Sequence, residues 1–247
     1  MKNNKVALIT GSSRGIGKAT AIELASRGYD IVVNYHYSKN KAEDLAEYLR
    51  QQFGVKVECF CADVSNESDV KNMVEQAIKD FGHIDVLVNN AGIAIDKEYT
   101  DKTVEDFNKT FATNLIGPYL VAKYVAPSMI NNKYGKIVNV SSNNGINCNY
   151  PTSADYDCSK AALNNLTRNM AIEYAPYVNV NAIAPGWVKT DMNKDFDADM
   201  EIMESKRILK GHFAEPEQIA KAIAFLVSDD AEYVNGTVVV VDGGMML

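Results

Sequence analysis

A tyrosine and a lysine stand four positions apart in the segment SADYDCSK, as Tyr156 and Lys160. Residues 154–174 are predicted to be helical, and side chains four apart share one face of a helix, about 5–6 Å between Cβ atoms. Two serines, Ser141 and Ser142, precede the pair. A phenol, an ammonium and a hydroxyl brought together in this way would form a proton-transfer group.

Such a group suits proton transfer at a carbonyl or alcohol oxygen. Reduction of a carbonyl needs a proton at oxygen as hydride arrives at carbon, and oxidation of an alcohol needs that proton removed. A free tyrosine has a pKa near 10, which is too high for an efficient base at neutral pH. We expect the Lys160 ammonium, together with the positive ring of an oxidised nicotinamide, to lower the Tyr156 pKa by about 2 to 3.

Short β-branched runs alternate along the chain with amphipathic helical segments. Seven runs lack apolar/polar alternation, as strands buried on both faces do. They are residues 5–10, 30–35, 55–61, 84–90, 135–142, 178–185 and 237–242. The repetition predicts an α/β Rossmann fold over one domain, 1–247, with a doubly wound, parallel seven-stranded sheet and helices on both faces. Ligands of such sheets bind beyond the carboxyl ends of the strands.

The first predicted strand enters a helix through the glycine-rich turn TGSSRGIG. Gly11 permits the tight turn, Gly15 lets the backbone approach a pyrophosphate, and Gly17 lets the helix pack close to the strand. The helix N-terminus offers free N–H groups to phosphates. This turn predicts a dinucleotide site.

The composition argues against several other classes of function. The 247 residues carry a net charge of −7, which disfavours broad capture of nucleic acid or of an anionic membrane. No apolar run approaches the ~20 residues that cross a bilayer, and the apolar N-terminal stretch is too short for a signal peptide. The four cysteines and three histidines show no metal-ligand spacing. We expect a cytoplasmic protein without a metal site.

Six motifs occur in one order along the chain. They are TGSSRGIG, NNAG at 89–92, Ser142, the Tyr156-x-x-x-Lys160 pair, PGWVKT at 185–190 and VDGG at 241–244. Together they resemble the short-chain dehydrogenase/reductase family over essentially the whole sequence. The resemblance implies that Tyr156 is the acid/base, that Lys160 also holds the nicotinamide ribose, and that Ser142 binds the substrate oxygen, with Ser141 as the fallback.

Asn114, in the segment FATNLIGPYL, is the fourth catalytic candidate. The resemblance implies that it completes a water-linked proton relay. Its neighbours Gly117 and Pro118 predict a disturbed helix, in which a backbone carbonyl is freed.

The resemblance also implies a nicotinamide dinucleotide held by several strand-to-helix turns. The expected contacts are Gly11, Ser13, Arg14, Gly15, Ile16, Gly17, Tyr35, Ser38, Asp63, Val64, Asn90, Ala91, Gly92, Tyr156, Lys160, Pro185, Gly186, Val188 and Thr190. The second strand ends in NYHYSK, without the carboxylate that would repel a 2′-phosphate. Arg14 could pair with that phosphate, so NADP(H) is expected over NAD(H). Asp63 resembles the adenine contact, and Ser65 is the better candidate to cap the following helix.

The substrate is left open between two groups of enzymes. The segments NAIAPG, TDM and VDGGMML resemble 3-oxoacyl-(acyl-carrier-protein) reductases, whose acidic carrier would have to meet Lys133, Lys136 or Arg168. The 14-residue spacing of Ser142 and Tyr156 instead suits sugar or other small-alcohol dehydrogenases. A non-catalytic NADP(H)-binding sensor or scaffold is the third alternative, although such a protein should have lost one of the site residues.

Residues 186–214 form the longest stretch between regular elements, and the resemblance implies that they are a lid over the substrate. The side chains expected to line it are Trp187, Met192, Met200 and Met203. The acidic segment 195–199 is interpreted as a solvated outer face. The family also implies a homotetramer, formed through the helices around 103–130 and 153–175 and through the C-terminal end.

Overall fold

A computed structural model describes residues 4–147, 149–193 and 198–247. In these residues seven parallel strands form one sheet, in the order β3-β2-β1-β4-β5-β6-β7. The strands are β1 Val6–Ile9, β2 Asp30–Tyr35, β3 Val57–Cys61, β4 Val86–Asn89, β5 Gly135–Val140, β6 Val178–Pro185 and β7 Val238–Val241. The predicted doubly wound sheet is confirmed, and every strand lies inside the run predicted for it.

Helices cover both faces of the sheet. They are α1 Gly15–Ser26, α2 Lys39–Phe53, α3 Glu67–Phe81, α4 Val104–Phe111, α5 Gly117–Asn131, α6 Ala154–Glu173, α7 Ala198–Ser205 and α8 Pro216–Leu226. Helices α1, α2 and α8 form one apolar core with the sheet, and α3, α5 and α6 form a second core on its other face. Strand residues such as Leu8 and Ile9 are fully buried for this reason, and each contributes about 1.5–3 kcal/mol of hydrophobic stabilisation.

The functional crevice follows from the strand order. β1 pairs with β2 on one side and with β4 on the other, so the chain leaves these strands in opposite directions. A crevice opens at such a switch point, outside the carboxyl ends of the strands. The loops after β1, β4, β5 and β6 all lie at this edge of the sheet.

One predicted helix cap is wrong. Asn66, not Ser65, caps α3, because its side-chain oxygen accepts the N–H groups of Ser68 and Asp69 at 3.0 and 3.3 Å. Ser65 is bound by the Asp63 carboxylate, which accepts its N–H at 2.9 Å and its hydroxyl at 2.7 Å. Because Ser65 is hydrogen-bonded to Asp63 in this turn, the N-cap of α3 lies one residue later, at Asn66.

None of the helices described is long and apolar enough to cross a membrane. Across the described ranges, no group of three or more histidine, cysteine, aspartate or glutamate side chains is placed to hold a metal ion.

Candidate active site

The first turn of α6 carries Tyr156, and the next turn carries Lys160 on the same face. The Lys160 ammonium nitrogen lies 5.5 Å from the centre of the Tyr156 ring. It donates a hydrogen bond of 2.8 Å to the carbonyl of Val140, the last residue of β5. The lysine is therefore fixed between the sheet and the tyrosine.

Burial dominates the acid–base properties of this pair. It raises the pKa of Tyr156 to about 12, although a hydrogen bond with the Ser142 hydroxyl acts to lower it. Burial also lowers the pKa of Lys160 to about 8. Burial thus acts against the expected lowering, because a phenolate in the crevice loses water. The tyrosine keeps its proton throughout the neutral range. The expected lowering also depends on the positive ring of an oxidised nicotinamide and stays a prediction.

Of the two serines after β5, Ser142 is the one that contacts the phenol. Its hydroxyl takes part in the hydrogen bond that lowers the Tyr156 pKa. The Ser141 hydroxyl instead donates to the backbone carbonyl of Lys160 at 3.2 Å. Ser141 thereby attaches the end of β5 to α6, and Ser142 remains the predicted substrate ligand.

A tight turn after Ser142 fixes its position against α6. The Ser142 hydroxyl accepts the N–H of Asn144 at 3.2 Å, and the Asn164 amide donates to the carbonyl of Gly145 at 3.0 Å. A Cβ at Gly145 would lie 2.6 Å from the carbonyl carbon of Lys160, so glycine alone permits this approach. The serine, the tyrosine and the lysine are held as one rigid group.

Asn114 is buried in the π-helical segment Ala112–Ile116, which connects α4 to α5. Its side-chain oxygen accepts the N–H of Ile93 and its amide donates to the Ile93 carbonyl, both at 2.9 Å. Pro118 lacks the N–H that would bond the Asn114 carbonyl in an α-helix, in agreement with the expected disturbance. The side chain thus holds the loop after β4, and the role of Asn114 in a proton relay stays a prediction.

The glycine-rich loop after β1 packs against the loop after β4. Gly11 has a φ of +61° and a Cβ there would lie 2.9 Å from the Cα of Ala91. At Gly17 a Cβ would lie 2.5 Å from the Asn90 amide nitrogen. That amide donates to the carbonyls of Thr10 and Gly11 at 2.9 and 3.1 Å. Bare backbone therefore lines the start of the crevice, as close approach of a dinucleotide requires.

The loop after β6 faces the same glycine-rich turn. A Cβ at Gly15 would lie 3.4 Å from the methyl carbon of Thr190. Gly15 has a φ of +55° and begins α1. Arg14, the residue at the N-cap position, makes no side-chain capping bond, so the first N–H groups of α1 are left for an anion.

The end of β2 carries no carboxylate, as predicted from the sequence. The exposed rings of His36 and Tyr37 stack at 3.7 Å, and His36 Nδ1 lies 3.9 Å from a carboxylate oxygen of Asp63 on the neighbouring loop. The side chain of Arg14 is exposed. A dinucleotide whose adenosine lies here would meet no acidic residue on the β2 side.

The predicted cofactor contacts divide into two groups. The first group is partly or fully exposed at the edge of the crevice. It consists of Gly11, Arg14, Gly15, Ile16, Tyr35, Ser38, Asp63, Asn90, Ala91, Gly92, Tyr156, Gly186 and Thr190. Buried behind them are Ser13, Gly17, Val64, Lys160, Pro185 and Val188. The second group shapes the crevice or reaches it through single atoms.

Sequence reasoning missed two residues that hold the site from behind. The Thr10 hydroxyl accepts the N–H groups of Asn90 and Ala91, both at 3.0 Å. The side chain of Asn34 is buried and accepts the N–H of Gly11 at 3.1 Å. The sequence feature that could have identified Thr10 and Asn34 is a polar residue at the carboxyl end of a predicted strand.

The predicted lid, residues 186–214, contains the helix α7, although no regular element was expected there. Trp187 stacks on Phe213 with ring centres 5.6 Å apart. The side chains of Met192, Met200 and Met203 are 40–55% exposed, so they face solvent more than a pocket. Part of the acidic segment, residues 195–197, lies outside the described residues.

Two of the basic residues considered for carrier binding are in the wrong place. Lys136 is buried in β5 and donates to the side chain of Asn179 at 3.3 Å. Lys133 just precedes β5, at the amino edge of the sheet and away from the crevice. Arg168 is exposed on α6. Of the three candidates, Arg168 alone is on an element that also carries predicted catalytic residues.

Fold and site together define a Rossmann-type dehydrogenase/reductase. A family model described as enoyl-(acyl carrier protein) reductase matches residues 11–246. The chain is 38% identical over 245 residues to a 3-oxoacyl-(acyl-carrier-protein) reductase of Staphylococcus epidermidis, covering 99% of this chain and 100% of the relative. A reductase of the same name from Thermotoga maritima is 38% identical over 244 residues, covering 98% of each chain.

Solved structures give the same result. A gluconate 5-dehydrogenase from Burkholderia cenocepacia, in complex with NADP and tartrate, superposes with a TM-score of 0.93 at 34% identity, covering 99% of this chain and 96% of that one. A short-chain type dehydrogenase/reductase from Mycobacterium marinum gives a TM-score of 0.92 at 32% identity, covering 98% and 95%. The chain belongs to the short-chain dehydrogenase/reductase family, and the predicted oxidoreductase class is confirmed.

Proposed function

We propose that this protein is an NADP(H)-dependent oxidoreductase that interconverts a carbonyl and a secondary alcohol, with 3-oxoacyl thioesters on an acyl carrier protein as its substrates. One observation carries the proposal. The Tyr156 phenol, whose pKa the Ser142 hydroxyl acts to lower and which is one helical turn from the buried Lys160, lies beside a glycine-lined crevice. The relatives named as 3-oxoacyl-(acyl-carrier-protein) reductases support the substrate class.

The residues present fit a nicotinamide dinucleotide. Gly11, Gly15 and Gly17 leave no side chain at the start of α1, where phosphates bind. The Lys160 ammonium is buried with one hydrogen bond, to the Val140 carbonyl, among the described residues. An ammonium has three donors, so ribose hydroxyls would satisfy the remaining two.

NADP(H) rather than NAD(H) fits the adenosine end. The end of β2 lacks an acidic residue, and Arg14 is exposed at the start of α1, where its guanidinium would pair with a 2′-phosphate. The gluconate 5-dehydrogenase that this chain resembles was solved with NADP. When bound, the dinucleotide supplies a hydride to the carbonyl carbon or accepts one from the alcohol.

The protein itself handles the proton. The Ser142 hydroxyl donates to the substrate oxygen and orients it toward Tyr156. Tyr156 Oη gives its proton to that oxygen in reduction and takes it back in oxidation. Lys160 stabilises the phenolate formed, and a water chain that starts at the Asn114 carbonyl returns the proton.

Arg14 tests the cofactor assignment. Arg14→Ala should weaken binding of NADPH at least about tenfold and that of NADH less than about twofold, since only the 2′-phosphate meets the guanidinium. Titration of each nucleotide by intrinsic fluorescence measures both constants. Arg27→Ala, at the other end of α1, is the control and should change neither. Equal losses for the two nucleotides with Arg14→Ala would contradict the assignment.

A sugar-acid or small-alcohol dehydrogenase is the second candidate. The gluconate 5-dehydrogenase structure and the 14-residue spacing of Ser142 and Tyr156 favour it. Nucleotide absorbance distinguishes the two, with acetoacetyl thioesters, simple ketones and gluconate-like sugar acids each offered with NADP(H) and NAD(H). Turnover of thioesters supports the first proposal, and turnover of sugar acids alone replaces it with the second. No turnover of any carbonyl, despite tight nucleotide binding, would favour a sensor or scaffold.

We also propose that the chain is one domain whose residues 186–214 cover the substrate, and that it works as a cytoplasmic homotetramer. The sheet supports the first part, because its two cores extend over strands from both ends of the chain. An exposed apolar groove between α5 and α6, lined by Leu115, Ile116, Tyr119 and Leu166, supports subunit contacts there.

A further inference from the structure

Glu204, on helix α7, is a buried carboxylate that the reaction does not use. Its side chain is 5% exposed, which is rare for a glutamate unless it is paired. It accepts hydrogen bonds from the Tyr150 hydroxyl at 2.7 Å, from the Trp187 indole N–H at 3.0 Å and from the Arg207 guanidinium at 2.8 Å. Three donors, one of them charged, offset the cost of burying this charge.

These contacts join three separate segments of the chain. Tyr150 lies between the catalytic serine and tyrosine, Trp187 follows the end of β6, and Arg207 follows α7. The rings of Tyr150 and Trp187 meet edge to face at 5.8 Å, and the Arg207 guanidinium lies 5.4 Å from the Tyr150 ring centre. We call Tyr150, Trp187, Glu204 and Arg207 the Glu204 clasp.

The Glu204 clasp is connected to the catalytic group. The N–H of Tyr150 donates to the Asp157 carboxylate at 2.9 Å, and the Asn144 amide donates to the same carboxylate at 2.7 Å. Asn144 also donates its N–H to the Ser142 hydroxyl, and Asp157 is the chain neighbour of Tyr156. Tyr150 is thus joined to the Ser142 hydroxyl through the Asp157 carboxylate and Asn144, and it lies in the chain segment between Ser142 and Tyr156.

We propose that Glu204 is a positioning residue that determines substrate specificity, because it holds Tyr150 and Trp187 as one fixed wall beside Ser142 and Tyr156. The proposal rests on the proposed oxidoreductase function. Loss of the carboxylate releases both rings, so carbonyl substrates bind less well. The clasp contains none of Ser142, Tyr156 and Lys160, so kcat and nucleotide binding are expected to change much less than the KM for the carbonyl.

The test compares Glu204→Gln with Glu201→Gln, which removes the same charge from an exposed position of the same helix. In Glu204→Gln the KM for the carbonyl should rise at least about tenfold, with kcat and the nucleotide KM within about threefold of the original protein. Glu201→Gln should change none of these. Glu204→Asp keeps the carboxylate charge, so its KM should lie between those of the original protein and Glu204→Gln.

Trp187 gives a readout that needs no turnover, because it is the only tryptophan in the 247 residues. Acrylamide quenching of its fluorescence should rise in Glu204→Gln and stay unchanged in Glu201→Gln. Tyr150→Phe, which removes one hydroxyl, carries the test if Glu204→Gln does not fold, and should raise both KM and quenching. The double variant should resemble Glu204→Gln alone, since the two side chains share one hydrogen bond.

Two results would contradict the proposed role of the Glu204 clasp. One is a Glu204→Gln protein that matches Glu201→Gln in both KM and quenching, and the other is a Tyr150→Phe protein unchanged in both. A wild-type protein without carbonyl turnover would refute the proposed function instead. The quenching comparison would still support or overturn the fixed wall in that case, so the two failures are distinguishable.

Discussion

At the scale of single residues, the site depends on two groups that burial shifts in opposite directions. The pKa of Tyr156 is raised to about 12 and that of Lys160 is lowered to about 8. Both shifts favour the neutral form, because each charge loses water in the crevice. Folding therefore holds the lysine charged at neutral pH only at a cost in stability, as functional sites often do.

This cost gives a prediction for Lys160→Met. Lowering the Lys160 pKa from 10.5 to about 8 destabilises the folded original protein by about 3 kcal/mol below pH 8. The methionine variant is free of this cost but loses the hydrogen bond to Val140, which lowers its stability by about 1 kcal/mol. The variant should be more stable than the original protein by about 1–2 kcal/mol at pH 7, while losing turnover. Urea denaturation of the nucleotide-free proteins measures the difference.

The sign of the pH dependence distinguishes this cause from better packing. Between pH 8 and pH 10.5 the unfolded chain binds more protons at this lysine than the folded one, so stability of the original protein rises with pH. The advantage of Lys160→Met should shrink over that window. Arg168→Met, an exposed position of α6, is the control and should show no such change. An advantage that is constant from pH 7 to pH 10 would contradict the assignment to Lys160.

At the scale of elements, the turn after β5 and the first turns of α6 act as one unit. Gly145→Ala places a Cβ 2.6 Å from the Lys160 carbonyl carbon and 2.7 Å from the Ala161 nitrogen, both backbone atoms that cannot move alone. The turn must shift and Ser142 with it. We expect a loss of about 1–3 kcal/mol in the free energy of unfolding and a fall of at least about tenfold in kcat.

A second glycine variant separates local from global effects. Gly82→Ala strains the left-handed residue after α3, where φ is +86° and nothing lies within 4 Å. It should lose about 1 kcal/mol of stability with kcat unchanged. Comparable losses of kcat in both variants would show that instability, rather than the position of Ser142, limits the rate.

Elements were predictable from the sequence wherever burial alone determines them. β2 and β6 match their predicted runs to the residue, because both faces of those strands are covered. The cap of α3 and the helix α7 were not predictable, since tertiary contacts determine them. Ser65 is hydrogen-bonded to Asp63 and so does not cap α3, and Glu204 attaches α7 to partners that are distant in sequence.

The pKa values of the site were also beyond sequence reasoning. The spacing of Tyr156 and Lys160 gave their common helix face, and the structure places them there. The rise that burial causes in the Tyr156 pKa was not foreseen, because a sequence shows that two charges are close but not how much water they lose. The roles of Thr10 and Asn34 were missed for a related reason, since their partners Asn90 and Gly11 lie in the loops after other strands.

At the scale of the whole molecule, exposed apolar surface should guide assembly. Tyr119 on α5 lines the groove between α5 and α6 and is 44% exposed, as is Tyr48 on α2, across the sheet. Tyr119→Glu would bury a charge in the proposed subunit contact. We expect it to lower the molar mass measured by light scattering from that of a tetramer, and Tyr48→Glu to leave it unchanged. A tetramer with Tyr119→Glu would place the contact elsewhere.

The proposed role of Tyr156 as proton donor is tested most directly by Tyr156→Phe, assayed with NADPH and the best carbonyl substrate. The variant keeps the ring and loses one hydroxyl, so kcat should fall at least about 100-fold while NADPH affinity stays within about twofold. Tyr174→Phe, at the end of α6, should leave both unchanged. A Tyr156→Phe enzyme that reduces the carbonyl at close to the original rate would contradict the account.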